Sequence, residues 1–372
     1  MKPIPILFTI PNFLTAGSGR EMMNIIDRLD RNVFAPHIAV QQEGGRLYEE
    51  AVNKGYPVIV APFTVGEDGS PVAKLNRCRA LAKRFREYRF GIWQSFNWSS
   101  DYSEALIARM SGARYVYVKK NMNWERRAWK VKTFLADAVI ARNTTLLKQQ
   151  LAPWYFKRKS YLVQGGVAVD SFRKVPSDVR GRYNIPEDAF VVCCVAQMVR
   201  VKDHVTLVRA IIDLPDTYLL LAGAERDEVY ASELRKLVID NNLEERVFFL
   251  GPVGDINTVL SAADLFVLPT TNRHGHEEGC PVALLEAMAA GLPCIASDVA
   301  GSNDLVHHGK TGFLFAAECV RELRDRIVAL KEFPDLRSRF GQAAHQLVIS
   351  KNSLDIEAKG FVDVYRKLIR FQ

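Results

Sequence analysis

Short apolar runs recur along this 372-residue chain, and between them apolar residues return every three or four positions. The runs at 4–10, 37–41, 57–61, 91–95, 114–118, 137–141 and 160–163 read as buried strands, with helical spacing in most of the gaps. Met22, Ile25, Ile26 and Leu29 carry that spacing after the first run. The alternation starts again at 190–196 and continues through 218–222, 247–250, 264–269 and 293–297, with a helix expected over 255–263. Three helices close the chain, over 320–330, 336–348 and 354–369. Such alternation argues for α/β domains with parallel sheets covered on both faces. Between the two series, 175–187 is polar and holds Pro176 and Pro186. It reads as a linker, and the length suits two Rossmann-like domains, 1–174 and 175–353.

One stretch carries the most chemistry. From His276 to Pro293 the chain reads His-Glu-Glu-Gly-Cys-Pro-Val-Ala-Leu-Leu-Glu-Ala-Met-Ala-Ala-Gly-Leu-Pro. Pro281 and Gly291 punctuate the start and end of a helix. The N–H groups of Gly279, Cys280, Val282 and Ala283 fall at its positive end, where donors lack intrahelical partners and a diphosphate is stabilised. Glu278 precedes the helix and Glu286 lies inside it. Two carboxylates beside an anion site can accept hydrogen bonds from the hydroxyls of whatever carries the phosphates, and sugars are dense in hydroxyls. Near the other end of the chain, Gly17-Ser18-Gly19 forms a loop between the first strand and a helix, so Gly17 and Gly19 are candidate phosphate-binding residues too. The dinucleotide fingerprint G-x-G-x-x-G followed by an acid is absent, with Gln41 and Gln42 near the acid's place, which disfavours a nicotinamide dehydrogenase.

Glu278-Gly279-Cys280-Pro281, three residues, then Leu285-Glu286-Ala287-Met288-Ala289 resembles the E-x7-E motif of retaining GT-B glycosyltransferases of family 4, the glycosyl transferases group 1. Gln197-Met198-Val199-Arg200-Val201-Lys202-Asp203-His204 is similar to that family's G-R-L-V-x-x-K-G-H, and Ser18-Gly19-Arg20-Glu21 to its G-G-x-E. Ser261 to Pro269 looks like its y-x-x-A-D-x-f-v-x-P-S, and Gly301 to Leu314 like its closing glycine motifs. The resemblance implies two Rossmann-like domains facing a central cleft, the first for the acceptor and the second for a UDP- or GDP-linked sugar donor, with the last helix, 354–372, packing back on the first. It implies that Glu278 meets the donor sugar, that Glu286 holds the ribose, that Lys202 and position 197 hold the diphosphate, and that no metal is required. Transfer with retention onto a glycan or lipid-linked acceptor, in bacterial polysaccharide or glycolipid synthesis, follows from the resemblance.

The sequence also departs from the pattern. Gln197 stands where the family has Arg, with Arg200 as a substitute cation. Ala168 replaces an Asp, and Lys119-Lys120-Asn121 occupies the place of an acceptor-side His. His274 and His276 precede Glu278, where a loop His is either solvated or available for acid–base work. Two other readings keep the architecture: a sugar-nucleotide-binding partner without turnover, and a nucleotide-sugar epimerase.

Charge is uneven. Up to Phe172 there are 26 Lys plus Arg against 14 Asp plus Glu, hence +12, whereas the remainder has 24 against 28, hence −4. The basic stretches 74–89, 119–132 and 154–159 interleave aromatics, Trp124 and Trp129 among them, which suits an anionic membrane surface or a lipid-phosphate acceptor as well as a solvated helix face or core edge. No nucleic-acid motif accompanies them. The six cysteines show no CxxC spacing and read as packed free thiols in a reducing compartment. No run approaches the ~20 apolar residues of a membrane span. The apolar opening reads as a first strand rather than a signal peptide, so the expected location is cytoplasmic, with a peripheral position on the inner face of the plasma membrane.

Overall fold

The structure, a computed structural model, describes residues 2–14, 16–66, 68, 70–120, 122–271, 273 and 278–369. It divides into two compact units, Met1–Gln164 with Leu354–Gln372, and Gly165–Ser353.

Unit 1 is built on a seven-stranded parallel sheet of β1 (Ile4–Thr9), β2 (Phe34–Val40), β3 (Val58–Val60), β4 (Ile92–Ser95), β5 (Arg114–Lys119), β6 (Ala138–Ala141) and β7 (Ser160–Leu162), in the order β3-β2-β1-β4-β5-β6-β7. Ile6 and Phe8 of β1 and Ile38 and Val40 of β2 enter one core with Met22, Ile25 and Ile26 of the helix Ala16–Asp27. The closing helix, Leu354–Ile369, adds Phe361, Val364 and Tyr365 to that core, and the Tyr365 hydroxyl donates to Gln94 Oε1 at 3.0 Å. Arg142 and Glu357, both buried, pair at 2.6 Å.

Unit 2 holds β8 (Phe190–Val195), β9 (Thr217–Ala222), β10 (Val247–Gly251), β11 (Leu265–Leu268), β12 (Cys294–Ser297) and β13 (Gly312–Phe315), all parallel, in the order β10-β9-β8-β11-β12-β13. Val191 and Cys193 of β8 enter one core and Phe190, Val192 and Cys194 another, so the two faces of the sheet are each covered. Both sheets thus have the parallel, doubly covered architecture expected of a GT-B pair of Rossmann-like units. The segment from Gly165 belongs with unit 2. Val167 N–H donates to Asn352 at 2.8 Å, and Phe172, Val179 and Ile185 pack with the unit 2 core.

One local expectation changes. The glycine-bearing stretch after β1 is not a loop: the helix begins at Ala16, and Gly17 and Gly19 lie in its first turn. Gly19 is there for packing, because a Cβ would come within 2.8 Å of Leu47 Cδ1 and 2.9 Å of Phe13 Cδ1. The basic stretch 119–132 divides between a solvated face and a core edge, with Arg126, Arg127 and Lys130 exposed. Lys119 and Lys132 are buried, and their ammonium groups approach the Trp129 ring to 3.7 and 5.6 Å.

Candidate functional site

A parallel α/β sheet offers its ligand crevice beyond the carboxyl ends of the strands, where the strand order reverses. In unit 2 the order reverses between β8 and β11. The turn after β8 carries Gln197 to Lys202, and the loop after β11 leads to Glu278. Thr271 N–H donates to the Val201 carbonyl at 2.9 Å, which ties the two connections together.

At this junction Lys202 Nζ donates to Glu278 Oε1, and the Thr270 hydroxyl donates to the same oxygen at 2.8 Å. Ser297 at the end of β12 donates to the Thr270 carbonyl at 2.6 Å, so the sheet itself fixes the threonine. Gly301, at φ +81°, lies so close to Glu278 that a Cβ would be 2.5 Å from its carbonyl oxygen. Only glycine tolerates both the left-handed backbone and that approach.

The helix Val282–Ala289 follows. Its apolar side, Leu284, Leu285, Ala287 and Met288, is buried in the core, which aims the other side and the N-terminus outward. Pro281 at the N-cap supplies no side-chain acceptor, its carbonyl takes the Leu284 and Leu285 N–H groups at 3.1 and 3.3 Å, and Val282 is exposed, so the Val282 and Ala283 N–H groups stand at the helix mouth where an anion is favoured. Cys280 has a structural task besides: its Sγ accepts the Gly165 N–H at 3.2 Å. Glu286 is half-buried with no hydrogen-bond partner among the described residues, and burial pushes its carboxyl up to about 7.

The structure therefore brings Lys202, Glu278 and the first turn of the Glu286 helix to one edge of one sheet. Gln197 is exposed on the turn that carries Lys202. Arg200, exposed on the same turn, pairs with Glu233 at 2.8 Å and lies over the Tyr230 ring. Gly17 and Gly19 belong to unit 1, where Lys120 Nζ donates to Ser18 at 2.8 Å and to Glu21 at 2.7 Å. Asn121, His274, His276 and Glu277 lie outside the described residues. Thr270 and Gly301 escaped the sequence reading as site residues. Each had a signal, since Thr270 falls on the hydroxyl position of the P-S pattern and Gly301 opens one of the closing glycine motifs.

Residues 177–347 match the family described as "Glycosyl transferases group 1". Over 212 residues the chain is 32% identical to a GDP-mannose-dependent alpha-(1-6)-phosphatidylinositol monomannoside mannosyltransferase of Mycobacterium tuberculosis, covering 54% of each. It is 26% identical over 202 residues to the N-acetyl-alpha-D-glucosaminyl L-malate synthase of Bacillus anthracis, covering 54% of this chain and 51% of that one. The chain spans about half the length of these curated relatives. Among solved structures, a glycosyltransferase from Rickettsia africae superposes with a TM-score of 0.85 at 19% identity over 100% of both chains. Anabaena HepE, solved with UDP and glucose, gives 0.80 at 19% identity over 96% of this chain and 98% of that one. These superpositions establish the fold, and the likeness to the glycosyl transferases group 1 runs through residues 177–347.

Proposed function

We propose that the chain is a retaining glycosyltransferase that moves a sugar from a nucleotide-diphosphate sugar to an acceptor hydroxyl, in bacterial cell-surface polysaccharide or glycolipid synthesis. The observation that carries this reading is the Lys202–Glu278 pair at the strand-order reversal of unit 2, beside a helix mouth without a side-chain cap. A departing diphosphate gains negative charge as the glycosidic bond breaks, and preorganised donors stabilise that charge most where it develops. Lys202 and the N–H groups of Gly279, Cys280, Val282 and Ala283 supply such donors, with Gln197 as a neutral one. When Lys202 turns to the diphosphate, Glu278 is left, still held by Thr270, to accept hydroxyls of the donor sugar. Glu286 ionises to accept the ribose hydroxyls. Fixed dipoles and one lysine take the place of a divalent ion.

A UDP or GDP carrier is supported by the GDP-mannose-dependent relative and by HepE with bound UDP. The acceptor is a glycan or a lipid-linked glycan. None of the described helices is long and apolar enough to cross a membrane. Exposed Phe134 and Trp154, with Lys157 and Arg158 beside them, support a peripheral position on an anionic bilayer from the cytoplasmic side. The epimerase and non-catalytic readings draw no support from the transferase names of the relatives.

A thermal-shift screen over UDP-glucose, UDP-galactose, UDP-N-acetylglucosamine and GDP-mannose tests the reading. A donor at ~100 times its dissociation constant should add about 2.7 kcal/mol of stability. Nucleotide release should then require an acceptor and survive EDTA. A protein that none of these donors stabilises, or one that turns a donor over only with added divalent metal, would remove the proposed chemistry.

A further inference from the structure

Unit 1 holds a built pocket of its own. Its strand order reverses between β1 and β4, and the loops after β4 and β5 frame a cavity of about 320 Å³ at the carboxyl edge of the sheet. Trp98, 40% exposed, lines it with Trp129.

The walls are held from beneath by buried charge. Lys132 Nζ donates to the carbonyls of Ser99 at 3.0 Å and Asn97 at 3.4 Å. Lys119 Nζ donates to the Asn123 carbonyl at 2.7 Å. Glu104, buried 3.9 Å from Lys132, accepts hydrogen bonds from Trp93, Ser95, Asn97 and Tyr115. Removing an ammonium group from water costs several kcal/mol even after relaxation, and apolar side chains would fill the same space without that cost. What these lysines add is a clamp on both loops and on the Trp129 ring. Such support is how a recognition site is preorganised.

We propose that this pocket is a carbohydrate subsite that takes one pyranose ring of the acceptor glycan, a role that rests on the transferase reading above. An indole offers a flat apolar face to the C–H face of a sugar ring and a polar rim to its hydroxyls. Asp101 is fixed at Oδ1 by the Ser103 N–H at 2.8 Å and Lys74 Nζ at 3.4 Å and at Oδ2 by the Ser103 hydroxyl at 2.9 Å, which leaves one lone pair, on Oδ2, for a sugar hydroxyl. Arg126 adds an exposed guanidinium at the rim. The volume lies at the small end of the ~300–1,000 Å³ of ligand pockets and suits one ring.

Saturation-transfer NMR on the full chain with the methyl glycosides of glucose, galactose, mannose, N-acetylglucosamine and glucuronic acid tests the assignment. At least one glycoside should receive saturation. Trp98→Ala should weaken it about tenfold and Trp98→Phe should retain most of it, because the ring face does the binding. Calorimetric affinity for UDP-glucose or GDP-mannose should be unchanged in both variants. No transfer to any glycoside in the native chain, or full transfer in Trp98→Ala, overturns the subsite. Glycoside binding without binding of any nucleotide sugar upholds the subsite and removes the transferase reading instead.

Discussion

Lys202 and Glu278 lie 76 positions apart in sequence and meet as an ion pair, one from the turn after β8 and the other from just ahead of the helix Val282–Ala289. Their side chains are 23% and 14% exposed, so each is partly desolvated and each relies on the other. An entering diphosphate competes for the same lysine. In the proposed reaction the pair is a latch that donor binding opens.

Replacing Lys202 with Ala removes a cation whose value is greatest when the leaving group carries most charge. Turnover is expected to fall ~10²–10³-fold while donor affinity falls less than about tenfold. Steady-state kinetics with calorimetry on the same variant checks the split. An unchanged turnover number would reassign the diphosphate contact.

Glu286 gives the site a pH dependence. Burial raises its carboxyl from 4.5 to about 7, so it is mostly protonated in the free protein below neutrality. Accepting two ribose hydroxyls requires the ionised form. Donor affinity should therefore rise up to about tenfold per pH unit as pH approaches 7 from below, level off above it, and be flat in Glu286→Gln. Stability moves the other way. Between 4.5 and about 7 the folded state binds more protons than the unfolded chain, so the native protein loses stability as pH rises through that window and Glu286→Gln should not. Calorimetric titrations and melting curves across this range decide both signs, and an affinity that falls with rising pH would contradict the ribose role.

Gly301 tests the site through its backbone. An Ala there would place a Cβ 2.5 Å from the Glu278 carbonyl oxygen at a φ of +81°. The expected result is a loss of about 1–3 kcal/mol of stability together with weakened donor binding, because the loop that yields is the one carrying Glu278. Gly17→Ala is the contrast: a Cβ at Gly17 would meet nothing within 4 Å, and stability should be preserved. Melting temperatures and donor affinities of the two variants make the comparison, and a Gly301→Ala protein with native affinity would uncouple that glycine from the site.

The strands were legible because a parallel sheet buried on both faces writes itself as continuous apolar runs, and Phe190–Val195 and Leu265–Leu268 are such runs. Lys202 and Glu278 were legible as separate motif positions, but their meeting depends on β8 and β11 being neighbours, which strand order decides and local pattern does not. Gly17-Ser18-Gly19 misled because glycine favours a loop only where propensity decides. Here the packing of Gly19 on Phe13 and Leu47 outweighs it. Lys119 and Lys132 could not be told apart from their exposed neighbours for a related reason. Composition counts a lysine as surface charge, while these two are sheltered by Trp129 and by a carboxylate supplied from the helix Ser103–Ser111.

That buried charge makes its own prediction. Glu104→Ala leaves Lys132 without the carboxylate at 3.9 Å, and breaking a buried pair costs about 3–5 kcal/mol. The double variant Glu104→Ala with Lys132→Met removes both charges and should recover part of the loss, which denaturant titration of the two proteins measures. Lys119 adds a pH signature: burial, with Lys132 nearby, lowers its ammonium from 10.5 to about 7. Between those values the unfolded chain binds more protons than the folded one, so stability should rise with pH above about 7. Lys119→Met should flatten that rise. A native protein whose stability falls over the same window, or a Lys119→Met protein with an unaltered slope, would show that the amine is not held in the low-dielectric setting its contacts describe.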